Sequence, residues 1–261
     1  MDRRLVVVPV IIAINVVVFL AWLAALKDPN LFHVMEDNFV VSTSLILDGH
    51  WWTLLTAAFS HYAFWHIAFN MIVLWSFGSV LERLWGVWTF VVFYLVAAVV
   101  ASVSHCLVST FLLRSPEDGA LGASGAVAGL LMAFALMFPK HRILVFGVIP
   151  VPALVGALGF VAVDLWGLFA QTQGGGIGIG HGAHLGGSLC GFLFWALYLR
   201  TRFKRPTAGQ SVQMAMNAEE IEEFQRLRQK LDREGPDALT PKEKVFLEQI
   251  RERVMSAHEG R

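Results

Sequence analysis

Side chains suited to acyl transfer occur in three short stretches of this 261-residue sequence. The stretch HYAFWHIAFN contains His61, His66 and Asn70, GASG contains Ser124, and HGAHLGG contains His184. A serine hydroxyl becomes an effective nucleophile when a neighbouring base takes its proton, and histidine is the most common base. The three stretches together indicate that Ser124 could be a nucleophile activated by a neighbouring histidine.

Glycines accompany the serine and the histidine at a spacing that predicts close helix packing. Gly125 and Gly129 lie four residues apart, as do Gly187 and Gly191. Small residues at this spacing allow the backbones of two membrane helices to approach each other. Such an approach would bring a hydroxyl at the head of one helix to an imidazole at the head of the other.

The elements that must position these groups are predicted to be membrane-spanning helices. The chain is 56% hydrophobic and 15% charged, and 23 of its 40 Lys, Arg, Asp and Glu residues lie beyond residue 200. A helix needs about 20 apolar residues to cross a bilayer. Six segments approach this length: 5–26, 61–81, 88–112, 122–138, 143–170 and 183–200. We therefore predict an all-α polytopic membrane protein, with a six-helix bundle over residues 1–205. The net charge of zero gives no argument for nucleic-acid binding.

Residues 206–261 predict a small cytoplasmic helical hairpin. A charged amphipathic stretch ends at Gly235, and Thr240-Pro241-Lys242-Glu243 has the pattern of a capping box with proline at the first helical position. Two short helices bury little apolar area by themselves. We therefore expect them to dock on the membrane domain, on a second copy of the chain or on a partner.

The basic residues predict the orientation in the membrane. They cluster at the N-terminus, in two alternate loops and after the last span: Arg3, Arg4, Arg83, Lys140, Arg142 and residues 200–205. The positive-inside rule makes that side cytoplasmic, with both termini. The first apolar run is too long for a signal peptide, so we expect a retained helix. The small size of the chain and its simple organisation favour a protein of the bacterial inner membrane.

The motifs, taken in order, resemble the rhomboid family of intramembrane serine proteases. The resemblance covers residues 5–200. It is carried by Trp52, by His61-x4-His66-x3-Asn70, by Glu82-Arg83 with Gly86, by Gly122-Ala-Ser124-Gly125, and by Ala183-His184-x2-Gly187-x3-Gly191.

This resemblance implies an endopeptidase that cleaves peptide bonds in or next to transmembrane helices, within the lipid bilayer, through an acyl-enzyme. Ser124 as nucleophile and His184 as general base would form a catalytic dyad that lacks the acidic third member of a soluble triad. His66, Asn70 and the backbone N–H of Ser124 would form the oxyanion hole. Supporting roles would fall to Trp52, His61, Gly122, Gly125, Gly187 and Gly191. The substrates would be transmembrane proteins, and no cofactor or metal is expected.

The sequence departs from the family pattern at two positions. Thr53 follows Trp52 where many members have arginine. Ala128 stands four residues after the serine, where many members have an aromatic residue that stacks on the catalytic histidine. Another group must then hold the ring of His184, and Trp166 and Phe169 are the candidates.

Other interpretations remain open at this point. His181 is a competing base, which its glycine-rich surroundings predict to be a surface residue, and Asp164 is expected to have a structural role. Zinc bound by His61, His66 and His184 would leave the serine unexplained. A catalytically inactive relative that binds transmembrane helices is the alternative function. A transporter is disfavoured because the sequence shows no inverted repeat.

Overall fold

Apolar segments form most of the helices in the computed structural model, which describes residues 5–145, 148–175, 178–202, 218–235 and 238–259. The chain divides into two units, Met1–Arg200 and Thr201–Arg261. Among the described residues, five helices are long and apolar enough to cross a membrane, and Ser124–Met137 is a shorter apolar helix. The predicted all-α polytopic fold is confirmed, and the count of six crossings stays a prediction.

The helices of the first unit follow one another along the chain. They are α1 (Val7–Ala25), α2 (Pro29–Phe39), α3 (Thr43–Leu47), α4 (Thr53–Thr56), α5 (Phe64–Trp85), α6 (Val87–Leu112), α7 (Ser124–Met137), α8 (Ala153–Thr172) and α9 (His181–Arg202). A 3-10 turn follows α4, at Ala57–Phe59. Wider π-helical turns lie within α5, α6 and α9, at Leu74–Gly78, Val108–Leu112 and Trp195–Leu199.

The segment before α8 differs from the sequence prediction of one helix over 143–170. Two strands, β1 (Arg142–Val145) and β2 (Ile149–Pro152), pair there as an antiparallel hairpin, and the helix begins only at Ala153. Pro150 and Pro152 explain the difference. Proline lacks an N–H donor and disfavours the helical conformation in the residue that precedes it.

Glycines let α9 pack closely against α6 and α7 in the core of the first unit. A Cβ atom on Gly187 would overlap the carbonyl oxygen of Gly125, and one on Gly191 would overlap that of Gly129. On its other side, a Cβ on Gly125 would overlap the side chain of Ala101. The two glycine pairs predicted to face each other are therefore in backbone contact.

A buried carboxylate fixes the start of α1 at the end of α5. Glu82 is 2% exposed and accepts hydrogen bonds from the N–H groups of Val6, Val7 and Val8 at 2.7, 2.9 and 2.9 Å. The first N–H groups of a helix have no acceptor within the helix, and the helix dipole favours a negative charge beside them. Glu82 therefore joins α1 to α5 at the end of α5 opposite to His66.

The second unit contains α10 (Ala218–Glu234) and α11 (Pro241–Glu259), whose bounds lie within a few residues of the predicted helices. Thr240 and Glu243 form the capping box: the N–H of Thr240 donates to the Glu243 carboxylate at 2.8 Å, and the N–H of Glu243 donates to Oγ1 of Thr240 at 3.4 Å. The hydrogen bond from the backbone N–H of Thr240 lowers the pKa of Glu243 to about 2, together with the ammonium of Lys230, which lies 3.0 Å from the carboxylate. The boundary predicted after residue 205 lies outside the described residues.

Candidate active site

The predicted nucleophile and base lie at the N-terminal ends of two packed helices. Ser124 is the first residue of α7, and His184 is in the first turn of α9. Nε2 of His184 lies 2.8 Å from Oγ of Ser124. This distance is that of a hydrogen bond from a hydroxyl to a neutral imidazole nitrogen, and a general base must lie within such reach of the proton it takes. The pair is therefore placed for proton transfer.

Two backbone hydrogen bonds hold the loop that precedes the serine. The N–H of Gly122 donates to the carbonyl of Ala57 at 2.9 Å, and the N–H of Ala123 donates to Nε2 of His61 at 3.3 Å. His61 is fully buried, and it lies in the loop before α5 because that helix begins at Phe64. A ring nitrogen that accepts a hydrogen bond carries no proton, so His61 is neutral here. His61 thus contacts the residue before the nucleophile.

Gly122 makes room for the ring of His66 beside the serine. Its φ of +126° is in the region that favours glycine. A Cβ at this position would lie 2.7 Å from Cε1 and 2.9 Å from Nε2 of His66, and 3.7 Å from Oγ of Ser124. The edge of the His66 ring therefore lies close to Gly122 and to the reactive hydroxyl.

One cavity of about 650 Å³ joins the predicted site residues: Ser124, His184, His66 and Asn70 all line it. Asn70 is 6% exposed, and its Nδ2 donates to the carbonyl of His66 in its own helix at 2.9 Å. An asparagine amide carries two N–H groups, so a second donor remains. The backbone N–H of Ser124 is at the first position of α7, where no intrahelical acceptor exists.

Trp52 lies away from this cavity, in the loop between α1 and α5. Its Nε1 donates to Oδ1 of Asn38 at 3.1 Å, which joins the start of α4 to α2. Thr53, which stands in place of the arginine common in the family, is fully buried and donates from Oγ1 to the carbonyl of His50 at 2.6 Å. Both side chains therefore stabilise the fold of the first loop.

A carboxylate lies behind the candidate base, so the expectation of no acidic partner is wrong. Asp164 is 2% exposed, and its Oδ1 lies 2.9 Å from Nδ1 of His184 and 2.7 Å from Nδ1 of His181. The expectation of a surface position for His181 is also wrong, because that residue is 5% exposed. The chain turns back between α8 and α9, and the two helices pack against each other. The second half of α8 therefore lies beside the start of α9.

The aromatic ring that holds His184 comes from Phe160. The centroids of the two rings are 5.3 Å apart, with an angle of 35° between their planes. Trp166 and Phe169, the candidates from the sequence, are wrong because their side chains are 73% and 56% exposed. Phe160 lies one helical turn before Asp164, so the two share one face of α8. This i, i+4 spacing of an aromatic residue and a carboxylate is visible in the sequence, but it does not show which helix this face of α8 contacts.

Asp164, His181 and His184 are also residue types that bind zinc, and their ligand atoms lie within 4.8 Å of one another. Both ring nitrogens, however, lie at hydrogen-bond distance from the same carboxylate oxygen. The contacts are therefore those of two N–H groups donating to one acceptor. The trio of His61, His66 and His184 is a different set, in which His61 already accepts from Ala123.

The fold and the site together define a polytopic helical membrane protein with a serine and a histidine in contact at the heads of two packed helices. A sequence model of the Rhomboid domain matches residues 48–201. The chain belongs to the rhomboid family, and the recognition of that family from the motifs is confirmed.

The relatives of this chain include proteins of fungi, plants, mammals and bacteria. Rhomboid protein 1, mitochondrial, of Saccharomyces cerevisiae is 32% identical over 185 residues, which are 70% of this chain and 51% of the relative. RHOMBOID-like protein 12, mitochondrial, of Arabidopsis thaliana is 30% identical over 182 residues, which are 65% and 53% of the two chains. Rhomboid protease GluP of Bacillus subtilis is 33% identical over 149 residues, which are 57% and 26%.

The lengths and names of these relatives bear on the extent of the match and on the membrane in which the protein lies. The chain spans about half the length of the yeast and plant relatives and about a quarter of the Bacillus protein. The yeast and plant relatives carry mitochondrial names, so the comparisons do not favour the predicted bacterial inner membrane. A multi-pass integral membrane protein is the conclusion that the family and the apolar helices support.

Proposed function

We propose that this protein is an intramembrane serine endopeptidase that cleaves peptide bonds in or next to the transmembrane helices of other membrane proteins. The observation that carries the proposal is the 2.8 Å contact between Oγ of Ser124 and Nε2 of His184. This contact opens on a cavity at one end of the apolar helices. Membership of the rhomboid family supports the same reaction.

The reaction begins when Oγ of Ser124 attacks the carbonyl carbon of the scissile bond and His184 takes the hydroxyl proton on Nε2. The tetrahedral intermediate collapses as the C–N bond breaks, and His184 gives this proton to the leaving amine. Water then attacks the acyl ester while His184 takes one of its protons. Collapse of the second intermediate releases the acid and returns the proton to Ser124.

Donors around the cavity support an oxyanion hole. The backbone N–H of Ser124 is at the positive end of the α7 dipole, where negative charge is favoured. His66 and Asn70 line the same cavity and add side-chain donors. Donors fixed in advance stabilise the oxyanion without reorganising as the charge develops. We assign these three groups to the oxyanion.

The position of the site favours substrates whose helices unwind locally. A helical substrate has its carbonyls hydrogen-bonded, so a segment must become extended before its backbone can enter the cavity. Glycine, proline or β-branched residues near the cleaved bond lower the cost of unwinding. The basic loops lie on the other side of the bundle in the predicted orientation, so we propose cleavage near the non-cytoplasmic face, with both termini cytoplasmic.

The test combines cleavage with covalent labelling. The purified full chain is reconstituted in liposomes with a single-span reporter protein, and the fragment masses are measured. We expect two fragments whose junction lies in or beside the span. A fluorophosphonate probe should label the chain at one serine, identified as Ser124 by peptide mass. A folded chain that neither cleaves reporters nor takes the label would be an inactive relative that binds transmembrane helices.

Replacing Asn70 by alanine should lower kcat by about 100- to 1,000-fold, because the oxyanion loses one donor. The matched control is Asn15→Ala. Asn15 is fully buried in α1, and its Nδ2 donates to the carbonyl of Ile11, four residues back, at 2.8 Å. Both variants lose the same kind of side-chain-to-backbone bond. The measurement is kcat per mole of folded enzyme. Equal kcat in the two variants would exclude Asn70 from the oxyanion hole.

Truncation after residue 205 should leave cleavage in detergent within about threefold of the full chain. We propose that α10 and α11 bind a partner or a second copy and take no part in bond cleavage, since every group assigned to the reaction belongs to the first unit. The molar mass in detergent, measured for both forms by light scattering, tests self-association. Loss of activity in a folded truncated protein would assign the helices to catalysis instead.

A further inference from the structure

We infer that Asp164 and His181 are positioning residues for the general base, so that the working assembly is Ser124–His184–Asp164 with His181 as a second donor to the carboxylate. The inference rests on the proposed peptidase function. One carboxylate oxygen, Oδ1 of Asp164, lies within hydrogen-bond distance of Nδ1 of both histidines, at 2.7 Å from His181 and 2.9 Å from His184.

The contact with Asp164 selects the tautomer that catalysis needs. A neutral imidazole carries its proton on one nitrogen, and an acceptor beside Nδ1 keeps the proton there. Nε2 of His184 is then left unprotonated, 2.8 Å from Oγ of Ser124. When His184 takes the serine proton, the imidazolium forms with its Nδ1–H directed at a carboxylate. Asp164 itself need not gain a proton at any step.

His181 compensates the burial of this carboxylate. A buried carboxylate in a membrane protein is stabilised only when hydrogen-bond donors or opposite charges surround it. Oδ2 of Asp164 is buried and has no partner among the described residues, so Oδ1 carries both hydrogen bonds. Nδ1 of His181 lies 2.7 Å from Asp164, whereas the ring nitrogen at hydrogen-bond distance from Ser124 belongs to His184. We therefore assign it the role of holding the carboxylate toward His184.

A glycine on α8 creates the space for the second histidine. Gly167 lies three residues after Asp164 on the same helix, and a Cβ there would overlap the ring of His181. Phe160, Asp164 and Gly167 thus follow one another along the face of α8 that contacts α9. Phe160 packs on the ring of His184, and Gly167 leaves a gap for the ring of His181. The Phe160 ring and the Asp164 carboxylate contact His184, and Asp164 and the gap at Gly167 accommodate His181, three residues earlier on α9.

The experiment compares Asp164→Asn with Asp48→Asn, the same exchange at an exposed carboxylate. The full chain is assayed on a single-span reporter in liposomes. We expect Asp164→Asn to lower kcat by about 1,000- to 10,000-fold, since an amide can fix the wrong tautomer of the base. KM and the midpoint of thermal unfolding should change little, and Asp48→Asn should match the wild type. A kcat of Asp164→Asn within threefold of the wild type overturns the inference.

A second pair of variants separates positioning from packing at His181. An asparagine places its amide N–H near the position of the histidine Nδ1–H, whereas leucine offers no donor. We expect His181→Asn to keep a kcat at least tenfold above that of His181→Leu. Equal kcat values in two folded variants would overturn the role of His181.

A spectroscopic readout keeps the inference testable even if a variant does not fold. In the wild-type chain with ¹⁵N-labelled histidine, we expect the resonance of His184 to show a protonated Nδ1 and an unprotonated Nε2. The opposite tautomer overturns the inference. So does a wild-type activity that a chelator removes and zinc restores, which would make the trio a metal site. Absence of cleavage by the wild type contradicts the proposed function instead, and the tautomer still tests the inference.

Discussion

Replacing Ser124 by alanine is expected to abolish cleavage of a transmembrane reporter, with a fall in kcat of about 10⁵- to 10⁶-fold. Without Oγ the chain has no nucleophile beside the base, and no acyl-enzyme can form. His184→Ala should cost nearly as much, because the hydroxyl is a weak nucleophile when no base takes its proton. The double variant should be no less active than either single one, since the two groups act as a unit.

The control for this loss is a serine of the same chemistry elsewhere in the membrane helices. Ser76→Ala removes a hydroxyl in α5 that donates to the carbonyl of Ile72 in its own helix, at 2.8 Å. Its kcat should equal that of the wild type. The initial rate of reporter cleavage and labelling by a fluorophosphonate are measured for each variant. A Ser124→Ala protein that keeps a tenth of the wild-type rate would remove Ser124 from the mechanism.

The reactive pair could be predicted from sequence because each member lies at the start of a long apolar helix. Ser124 and His184 occur where hydrophobic segments begin, and the two crossings predicted between them place both at the same side of the bilayer. The glycine pairs that follow them predicted which helix faces touch. A helix that crosses the membrane has its two ends at opposite faces of the bilayer. The order of the motifs along the chain therefore indicated which of them lie near the same face.

The support of the base could not be predicted in the same way, because it depends on where α8 starts and turns. The sequence placed a single helix over 143–170, whereas the hairpin β1–β2 delays it to Ala153. The α8–α9 connection then decides which residues of α8 face His184. Three-dimensional contacts at this turn place Phe160 and Asp164 on the ring and leave Trp166 exposed. The apolar composition of α8 is nearly uniform, so hydrophobic periodicity did not distinguish these faces.

The burial of His181 could not be predicted from its neighbours in the sequence either. A histidine within a glycine-rich loop normally contacts solvent, and only the missing side chain at Gly167 makes a buried position possible. Local sequence therefore described the neighbours of His181 along the chain but not those across the helix interface. Residues that act through a neighbouring helix need the packing geometry before their role can be assigned.

Gly187→Ala is expected to separate α7 from α9 and to inactivate the protein. The added Cβ would overlap the backbone carbonyl of Gly125, which cannot rotate away as a side chain could. Overpacking in a well-packed interior typically costs about 1–3 kcal/mol, and a clash with backbone belongs at or above the upper end. Gly187 lies one turn after His184, so any displacement of α9 also lengthens the 2.8 Å contact with Ser124.

Gly159→Ala is the matched control, because no atom of the described residues lies within 4 Å of a Cβ at that position in α8. Alanine in an open helical position is expected to stabilise by about 0.5–1 kcal/mol, since glycine loses more conformational entropy on folding. The same exchange should thus raise the unfolding midpoint at Gly159 and lower it at Gly187. The midpoint in detergent and kcat at a temperature where both variants remain folded are the measurements. A Gly187→Ala protein with wild-type stability and rate would show that backbone contact between α7 and α9 is not what brings the nucleophile to its base.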